Sequence, residues 1–244
     1  YVGTLGFCKL HPALVDFYGA VGMPDARFML VGAPSTKEEL LLAAERRGMA
    51  GQLQFRGQLS DVEPALAQMD VFSYLLNPQH FGATENALLE AMAAGLPVVA
   101  LDQCVERHII RNGETGLLVH SPEEYGDAVR YLRENPEKAS LMGTRAKADI
   151  MKRYEIEENR WRFLAACRRA DAGEKHPHHF GEFFTGEPAD WFLSAVDAER
   201  QCFEENQLQD AGLIFRERTK GSPVHYFSYF PGDEQLAEWS RQLS

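Results

Sequence analysis

A helix start near the middle of the chain has residue types suited to holding a phosphate. Residues 85–102 read ENALLEAMAAGLPVVALD, an acidic start to an apolar helical run followed by a short β-branched run. Gly82 or Thr84 can begin this helix, which leaves the backbone amides of residues 85–87 without intrahelical partners. These amides and the positive end of the helix dipole together favour an anion. The sequence therefore predicts a phosphate site there.

A second acid on the same helix has the spacing needed to reach past that phosphate. Glu90 lies about one and a half turns beyond the helix start. Its carboxylate could accept hydrogen bonds from the two hydroxyls of a ribose, so we expect the helix to bind a nucleoside phosphate. The small residues in AMAAG allow the helix to lie close to a sheet.

The first half of the chain supplies the elements that must position these residues. Up to about His120, short apolar runs alternate with amphipathic segments, which predicts a doubly wound α/β fold with a parallel sheet and ligands at the carboxyl ends of its strands. The predicted strands are YVGTL, RFMLVG, LQFRG, DVFSYLL, PVVAL and GLLVH. The predicted helices between them are Pro12 to Val21, Thr36 to Arg47, Val62 to Gln68, Glu85 to Ala94 and Val105 to Arg111.

The second half differs in character. Three helices are predicted, at residues 122–134, 136–153 and 156–170, and we place the end of the first domain at residue 171. Residues 172–244 form an appended α+β segment, with a helix from Trp191 to Asn206, strands in AGLIFRERT and VHYFSYF, and a last helix around Glu234 to Gln242. Its aromatic residues are expected to pack on the preceding helices or on a partner, which would make it an accessory unit.

Composition excludes several classes of protein. The 244 residues are 45% apolar and carry a net charge of −11, of which −7 lies in residues 172–244. No basic face suited to nucleic acid is present. The longest apolar runs are far shorter than the roughly 20 residues that span a bilayer, and no signal peptide is visible. We expect a globular protein that binds a small phosphate-containing ligand.

Cysteine and histidine residues give no metal-site pattern. The four cysteines are scattered without a CxxC pair, as expected for reduced thiols in a cytoplasmic protein. His176, His178 and His179 lie together in a stretch rich in Gly and Pro, without a carboxylate or thiol at fixed spacing, which favours a solvated connection. We predict no metal site.

The order of motifs resembles one known family. ALLEAMAAGLPVVA followed by NGETGLLV resembles the donor half of retaining GT-B glycosyltransferases, the large "group 1" family whose motif has two Glu residues separated by seven positions. The likeness extends from Tyr1 to about Ala170 and includes YVGTL, ARFMLVG, LQFRGQL and MDVFSYLLNP in the expected order. It implies a Rossmann-like C-terminal domain that binds a nucleotide sugar.

The resemblance assigns roles residue by residue. Glu90 matches the second Glu, which binds the donor ribose, and Lys9 matches the lysine that neutralises the diphosphate. The backbone amides of Asn86 and Ala87 fall where the family holds the diphosphate. The loop that reads the nucleobase corresponds to Arg56, Gly57 and Gln58.

The chain departs from the family at two positions. Thr4 stands where the family usually has a second phosphate-binding cation, an arginine. Gly82 stands where the first Glu of the motif, which faces the donor sugar, would lie. Glu85 is our first choice to replace it as a catalytic residue beside Lys9, with Gln79 and His80 as alternatives; Glu85 could instead only complement the helix dipole. Glu106, after the next strand, is either a site residue or a surface acid.

The family resemblance also implies how such a domain is used. The reaction retains the anomeric configuration and needs no metal or other cofactor, because a lysine and helix-terminal amides stabilise the leaving diphosphate. The partners are a UDP-, GDP- or ADP-sugar, an acceptor glycan, lipid or small molecule, and an N-terminal acceptor domain that these 244 residues do not include. We expect a cytoplasmic location, with attachment to the inner membrane through the acceptor half as a further option.

Two other functions stay open. A sugar-nucleotide epimerase has the same architecture but needs carboxylates and a histidine on both walls of the cleft as acids and bases, and the sequence shows no convincing set. A non-catalytic module would bind the nucleotide sugar without turnover, with Thr4 and Gly82 as lost functional positions and the acidic, aromatic segment as a partner surface.

Overall fold

A computed structural model of the chain describes residues 1–33, 35–80, 85–103, 105–175, 186–196, 198–216 and 221–243. The described residues form two compact units, Tyr1–Arg168 and Arg169–Ser244. The three histidines of the predicted connection, residues 176–179, lie outside the described residues, as do Gly82 and Thr84.

Parallel strands form the centre of the first unit. The five strands are β1 Phe28–Val31, β2 Leu53–Gly57, β3 Phe72–Tyr74, β4 Val98–Leu101 and β5 Leu117–Val119. β1 pairs with β2, and β4 pairs with β3 on one side and β5 on the other, all in parallel. The strand predicted in YVGTL is only a single parallel bridge from Val2 to Val31. The Tyr1 ring stacks on that of Tyr74, with centroids 5.9 Å apart. The predicted α/β class is confirmed.

Eight helices separate and follow these strands. They are α1 Leu14–Ala20, α2 Lys37–Arg46, α3 Glu63–Leu66, α4 Asn86–Ala93, α5 Glu106–Ile109, α6 Pro122–Glu134, α7 Pro136–Arg153 and α8 Ile156–Ala172. All eight were predicted. The start of α6 follows the local chemistry, because the Ser121 hydroxyl accepts from the Glu124 amide at 3.2 Å and Pro122 occupies the first turn. No helix of the described residues is both long and apolar enough to cross a bilayer.

The core of the first unit lies between its sheet and its helices. All four residues of β4 are buried, and α4 and α6 both pack on this strand. Burial on both faces explains why the strand is a continuous apolar run rather than an alternating one. α4 and α5 begin in the loops that follow β3 and β4.

Two glycines set the distance between α4 and α7. A Cβ built on Gly143 would lie 1.9 Å from the carbonyl oxygen of Gly95, which is backbone and cannot move aside. We expect Gly143→Ala to lower the free energy of unfolding of this unit by about 1–3 kcal/mol, because α7 must shift. Urea denaturation would measure this. Gly51→Ala is the control, since an added Cβ there meets nothing within 4 Å. Equal stability of the two variants would contradict the prediction.

The second unit is helical, which corrects part of the prediction. Its helices are α9 Pro188–Ala195, α10 Arg200–Glu204, α11 Pro223–Tyr229 and α12 Glu234–Leu243. The single helix predicted from Trp191 to Asn206 is divided into α9 and α10. The two predicted strands are wrong: Leu213–Arg216 is a 3₁₀ turn, and VHYFSYF lies in α11 and its cap. Ser222 caps α11 by accepting from the His225 amide at 3.1 Å, and Pro223 begins it.

The aromatic residues of the second unit form a core of their own. Phe192 is fully buried, and its ring lies 4.9 Å from that of Phe203 and 5.6 Å from that of Trp239, centroid to centroid. Phe215 and Tyr226 pack edge-on against the same ring. This mutual packing was not among the two arrangements that we expected from the sequence. It gives the unit a hydrophobic cluster separate from that of the first unit.

Candidate functional site

Four polar side chains meet in the loops at the carboxyl ends of the strands. Lys9 follows the segment that bridges to β1, His80 and Glu85 follow β3, and Glu106 follows β4. The fold brings Lys9 and Glu85 together although 76 positions separate them. We call Lys9, His80, Glu85 and Glu106 the acid cluster.

Glu85 is the most heavily bonded member of the acid cluster. It is only 1% exposed, and its Oε2 accepts from Lys9 Nζ at 2.7 Å and from the Tyr74 hydroxyl. Its Oε1 lies 3.3 Å from His80 Nε2. Burial alone would raise the pKa of this carboxyl, but the hydrogen bonds from His80, Lys9 and Tyr74 outweigh burial and lower the pKa to about 2. Glu85 is therefore a carboxylate at neutral pH.

The Glu85 side chain does not cap its own helix. Glu85 occupies the N-cap position of α4, yet its side chain makes no capping hydrogen bond. The carboxylate points instead to Lys9 and Tyr74. It is therefore not simply an acid placed for the helix dipole.

Backbone contacts hold the lysine loop against the loop after β3. The backbone N–H of Asn77 donates to the Lys9 carbonyl oxygen at 2.8 Å, and its side-chain Nδ2 donates to the Phe7 carbonyl oxygen at 2.7 Å. Leu10 and Leu76 form an antiparallel bridge beside them. The Lys9 side chain stays 25% exposed, so its ammonium faces both Glu85 and solvent.

His80 lies between two acceptors. Its Nδ1 is 2.7 Å from the Asn77 carbonyl oxygen, and its Nε2 faces Glu85. The hydrogen bond to Glu85 raises the pKa of the imidazole above its usual value. In the protonated form both ring nitrogens donate, which satisfies both acceptors.

Glu106 is a buried member of the acid cluster. It begins α5 and is 1% exposed, so its assignment as a surface acid is wrong. Within the described part of the chain, neither carboxyl oxygen has a hydrogen-bond partner. Burial raises the pKa of this carboxyl, with the nearby Glu85 charge acting in the same direction. The pKa values of the neighbouring glutamates are therefore shifted in opposite directions.

The acid cluster has donor atoms that could hold a metal ion. One atom each from His80, Glu85 and Glu106 lies within 4.8 Å of the others. Lys9 already neutralises Glu85, however, and its ammonium would repel a second cation at this position. The absence of a metal stays a prediction.

The predicted ribose and phosphate residues lie elsewhere on α4. Asn86 is exposed and Ala87 half-buried in its first turn. Glu90 is exposed and lines a groove of about 450 Å³ with residues of α7 such as Ile150 and Met151. The structure thus does not bring Glu90 into the acid cluster.

The predicted base-reading loop ends β2. Arg56 and Gln58 are exposed, and Gly57 has a φ of 70°. The Arg56 side chain lines a groove of about 710 Å³ that also includes Met29 and, from α6, Arg133. Thr4 is exposed and accepts from the Tyr1 hydroxyl through its carbonyl oxygen at 3.1 Å.

Sequence analysis missed two residues that position the acid cluster. Tyr74 is a hydroxyl-bearing residue at the end of β3, and Asn77 precedes a proline in the following turn. A polar group at the carboxyl end of a strand was an available signal for both. Their partners, Glu85 and Lys9, are distant in the sequence.

Comparison with known families gives one match that covers half of the chain. A sequence model of the family described as "Glycosyl transferases group 1" matches residues 6–135. The lipopolysaccharide core biosynthesis glycosyltransferase LpsE of Rhizobium meliloti is 32% identical over 111 residues, which is 46% of this chain and 31% of LpsE. The D-rhamnosyltransferase WbpZ of Pseudomonas aeruginosa is 31% identical over 155 residues, 61% of this chain and 39% of WbpZ.

Solved structures have the same fold. The Anabaena protein HepE, crystallised with UDP and glucose, aligns with a TM-score of 0.59 and 21% identity over 68% of this chain and 47% of HepE. A glycosyltransferase from Rickettsia africae aligns with a TM-score of 0.62 and 16% identity over 71% of this chain and 47% of that protein. The chain spans less than half the length of each of these four proteins.

Proposed function

Because the chain belongs to the glycosyl transferases group 1 family, we propose that its first unit binds the nucleotide-sugar donor of a sugar transfer that retains the anomeric configuration. The observation that carries this proposal is the contact between Lys9 and Glu85 at the carboxyl ends of the strands. It joins the cation assigned to the diphosphate with the acid assigned to the sugar. HepE, a neighbour of the same fold, was crystallised with UDP-glucose.

In this proposal the chain supplies charge stabilisation rather than a metal. A quarter of the Lys9 side chain is exposed to solvent. Its ammonium can therefore bind the diphosphate while it keeps its ion pair with Glu85. The amides at the start of α4 add further donors, and both groups stabilise the leaving diphosphate as the glycosidic bond breaks. Glu85 faces the sugar.

Transfer also needs an acceptor-binding domain, supplied by the same polypeptide or by another. The 17 residues of α8 include none that is buried. Ile156, Trp161 and Phe163 are 77%, 55% and 71% exposed. Such an apolar surface is unusual on a helix in water and is suited to packing against another domain. We assign that position to the acceptor domain and expect little transfer by these 244 residues alone.

A thermal-shift panel tests donor binding directly. The chain is heated with UDP, GDP, ADP and a sugar derivative of each, since the sequence leaves the base open. A ligand at 100 times its dissociation constant stabilises by about 2.7 kcal/mol, which gives a clear rise in melting temperature. A panel with no shift at millimolar ligand would contradict the proposal.

The ribose assignment gives a separate prediction. We expect Glu90→Ala to weaken nucleotide binding by about 1–3 kcal/mol, because two ribose hydroxyls lose a charged acceptor, without a change in fold. Isothermal titration with the nucleotide selected by the panel measures this loss. Glu134→Ala, which removes an exposed acid at the end of α6, is the matched control. Unchanged affinity in folded Glu90→Ala would remove Glu90 from the site.

One observation favours a second candidate function, sugar-nucleotide epimerisation. His80, Glu85 and Glu106 lie within 4.8 Å of one another, and they are the residue types that such a reaction needs as acids and bases. Incubation of a UDP-sugar in deuterated water distinguishes the two. Deuterium at sugar C2 would support epimerisation, whereas transfer predicts none. A nucleotide sugar that binds but is not turned over, even with an acceptor domain added, would support a non-catalytic module.

A further inference from the structure

Burying the carboxyl group of Glu106 costs free energy that no hydrogen bond from the described residues offsets. Buried carboxyl groups in folded proteins are almost always hydrogen-bonded, because leaving one unpaired forfeits its hydration. Glu106 is 1% exposed, and both of its carboxyl oxygens lack a partner among the described residues. A buried group of this kind is commonly a binding or catalytic group that meets its partner only in a complex.

The donors around Glu106 are directed to other acceptors. Lys9 and the Tyr74 hydroxyl both donate to Glu85 Oε2. His80 has one nitrogen on the Asn77 carbonyl oxygen and the other facing Glu85. In this group of side chains, the acceptors left over are those of Glu106. A ligand that enters the cluster can supply the donors that Glu106 lacks.

The geometry points to the hydroxyl groups of the donor sugar as the partners of Glu106. This inference rests on the proposed function, in which Lys9 binds the diphosphate and the sugar occupies the adjoining space. Glu106 has a carboxyl oxygen within 4.8 Å of ligand atoms of both His80 and Glu85. A sugar hydroxyl both donates and accepts hydrogen bonds, so it can bond to a carboxyl group in either protonation state.

A metal ion fits the same space less well. Zinc–oxygen and zinc–nitrogen bonds of about 2.0–2.2 Å place tetrahedral ligand atoms roughly 3.3–3.6 Å apart. The atoms of His80, Glu85 and Glu106 spread over as much as 4.8 Å, and the Lys9 ammonium lies 2.7 Å from Glu85. Hydroxyl groups, which carry no charge, avoid repulsion by that ammonium.

The role of Glu106 is tested by comparing nucleotide sugars with the matching nucleoside diphosphates. Isothermal titration of the full chain with UDP, UDP-glucose, GDP and GDP-mannose gives the affinity that the sugar adds to each diphosphate. The sugar increment is the ratio of the affinity for the nucleotide sugar to that for the nucleoside diphosphate. We expect Glu106→Leu to reduce this ratio at least tenfold and Glu106→Gln at least threefold, while the affinity for UDP or GDP alone stays that of the wild type. His108→Ala, an exposed position on the same helix, should leave both unchanged.

The melting temperature of the ligand-free protein provides a second measurement. Replacing an unpaired buried carboxyl group with an apolar group of similar size removes its desolvation cost, so Glu106→Leu should melt about 2–4 °C above the wild type. If Glu106 instead served only the structure, the variants would melt lower and the sugar increment would stay the same, which would overturn the inference.

The remaining outcomes are also decisive. If the wild type binds UDP-glucose or GDP-mannose and folded Glu106→Gln retains the full sugar increment, the inference fails while the proposed function stands. If the wild type binds no nucleotide or nucleotide sugar, the proposed function fails and this inference with it. A rise in melting temperature with Zn²⁺ that Glu106→Gln abolishes would assign the cluster to a metal and overturn the sugar role.

Discussion

Glu85→Gln should lower the free energy of unfolding of the first unit by about 2–4 kcal/mol. The substitution keeps the side-chain volume but removes the charge that Lys9, Tyr74 and His80 all face. Removing one partner of a buried ion pair typically costs about 3–5 kcal/mol. The lower range applies here because Lys9 stays a quarter exposed. Urea denaturation of the full chain measures the loss, with Glu134→Gln as the exposed-acid control.

A double-mutant cycle with Lys9→Met isolates the pair. Each single variant leaves one charge of the pair without its partner, whereas the double variant removes both. We therefore expect the double variant to be more stable than the sum of the two single losses predicts, by about 1–3 kcal/mol. Strict additivity would mean that the 2.7 Å contact contributes nothing to the stability of the fold.

The same carboxylate predicts how stability depends on pH. The pKa of Glu85 is lowered from 4.5 to about 2. The contribution of its carboxylate to the free energy of unfolding is therefore fully present above pH 4.5 and is lost as the pH falls through 2. About 2 kcal/mol of this contribution should be lost by pH 3. We therefore expect the difference in free energy of unfolding between the wild type and Glu85→Gln, measured by denaturation, to be smaller at pH 3 than at pH 6. A difference that stays constant would show that Glu85 titrates normally.

Lys9→Met should weaken binding of UDP by roughly 30- to 5000-fold while changing uridine affinity little. The ammonium is assigned to the phosphates, and losing one partner of a charged hydrogen-bonded pair costs about 2–5 kcal/mol. Isothermal titration with UDP and uridine gives the two affinities, with GDP and guanosine measured in parallel. Lys152→Met removes an exposed lysine of α7 as a control.

The comparison of nucleotide with nucleoside separates phosphate recognition from a general loss of structure. Lys9→Met leaves the Glu85 carboxylate short of one donor, so some loss of stability is expected. Circular dichroism at the titration temperature confirms that the variant is folded. An equal loss for uridine and UDP would show that Lys9 is not a phosphate ligand.

The sequence by itself determined the architecture of the first unit. β1, β4 and β5 are continuous apolar runs, and the helices between the strands have amphipathic patterns, so local composition and period agree with the fold. The same local reasoning was wrong in the second unit. VHYFSYF has the composition of a strand, but Ser222 and Pro223 begin a helix there. The described residues of that unit contain no strand with which it could pair. Strand formation depends on a distant partner that composition does not reveal.

Only the tertiary structure decided how the candidate site is assembled. The family resemblance singled out Lys9 and Glu85 separately, but their contact depends on the way Asn77 joins two loops that are far apart in the chain. Glu85 and Glu106 are the same residue type, each just after a buried strand. Three donors surround the carboxylate of Glu85 and lower its pKa. Burial raises the pKa of the Glu106 carboxyl group, whose oxygens have no hydrogen-bond partner among the described residues. The charge of a carboxyl group depends on its neighbours in space, which is why sequence spacing alone could not assign these two residues.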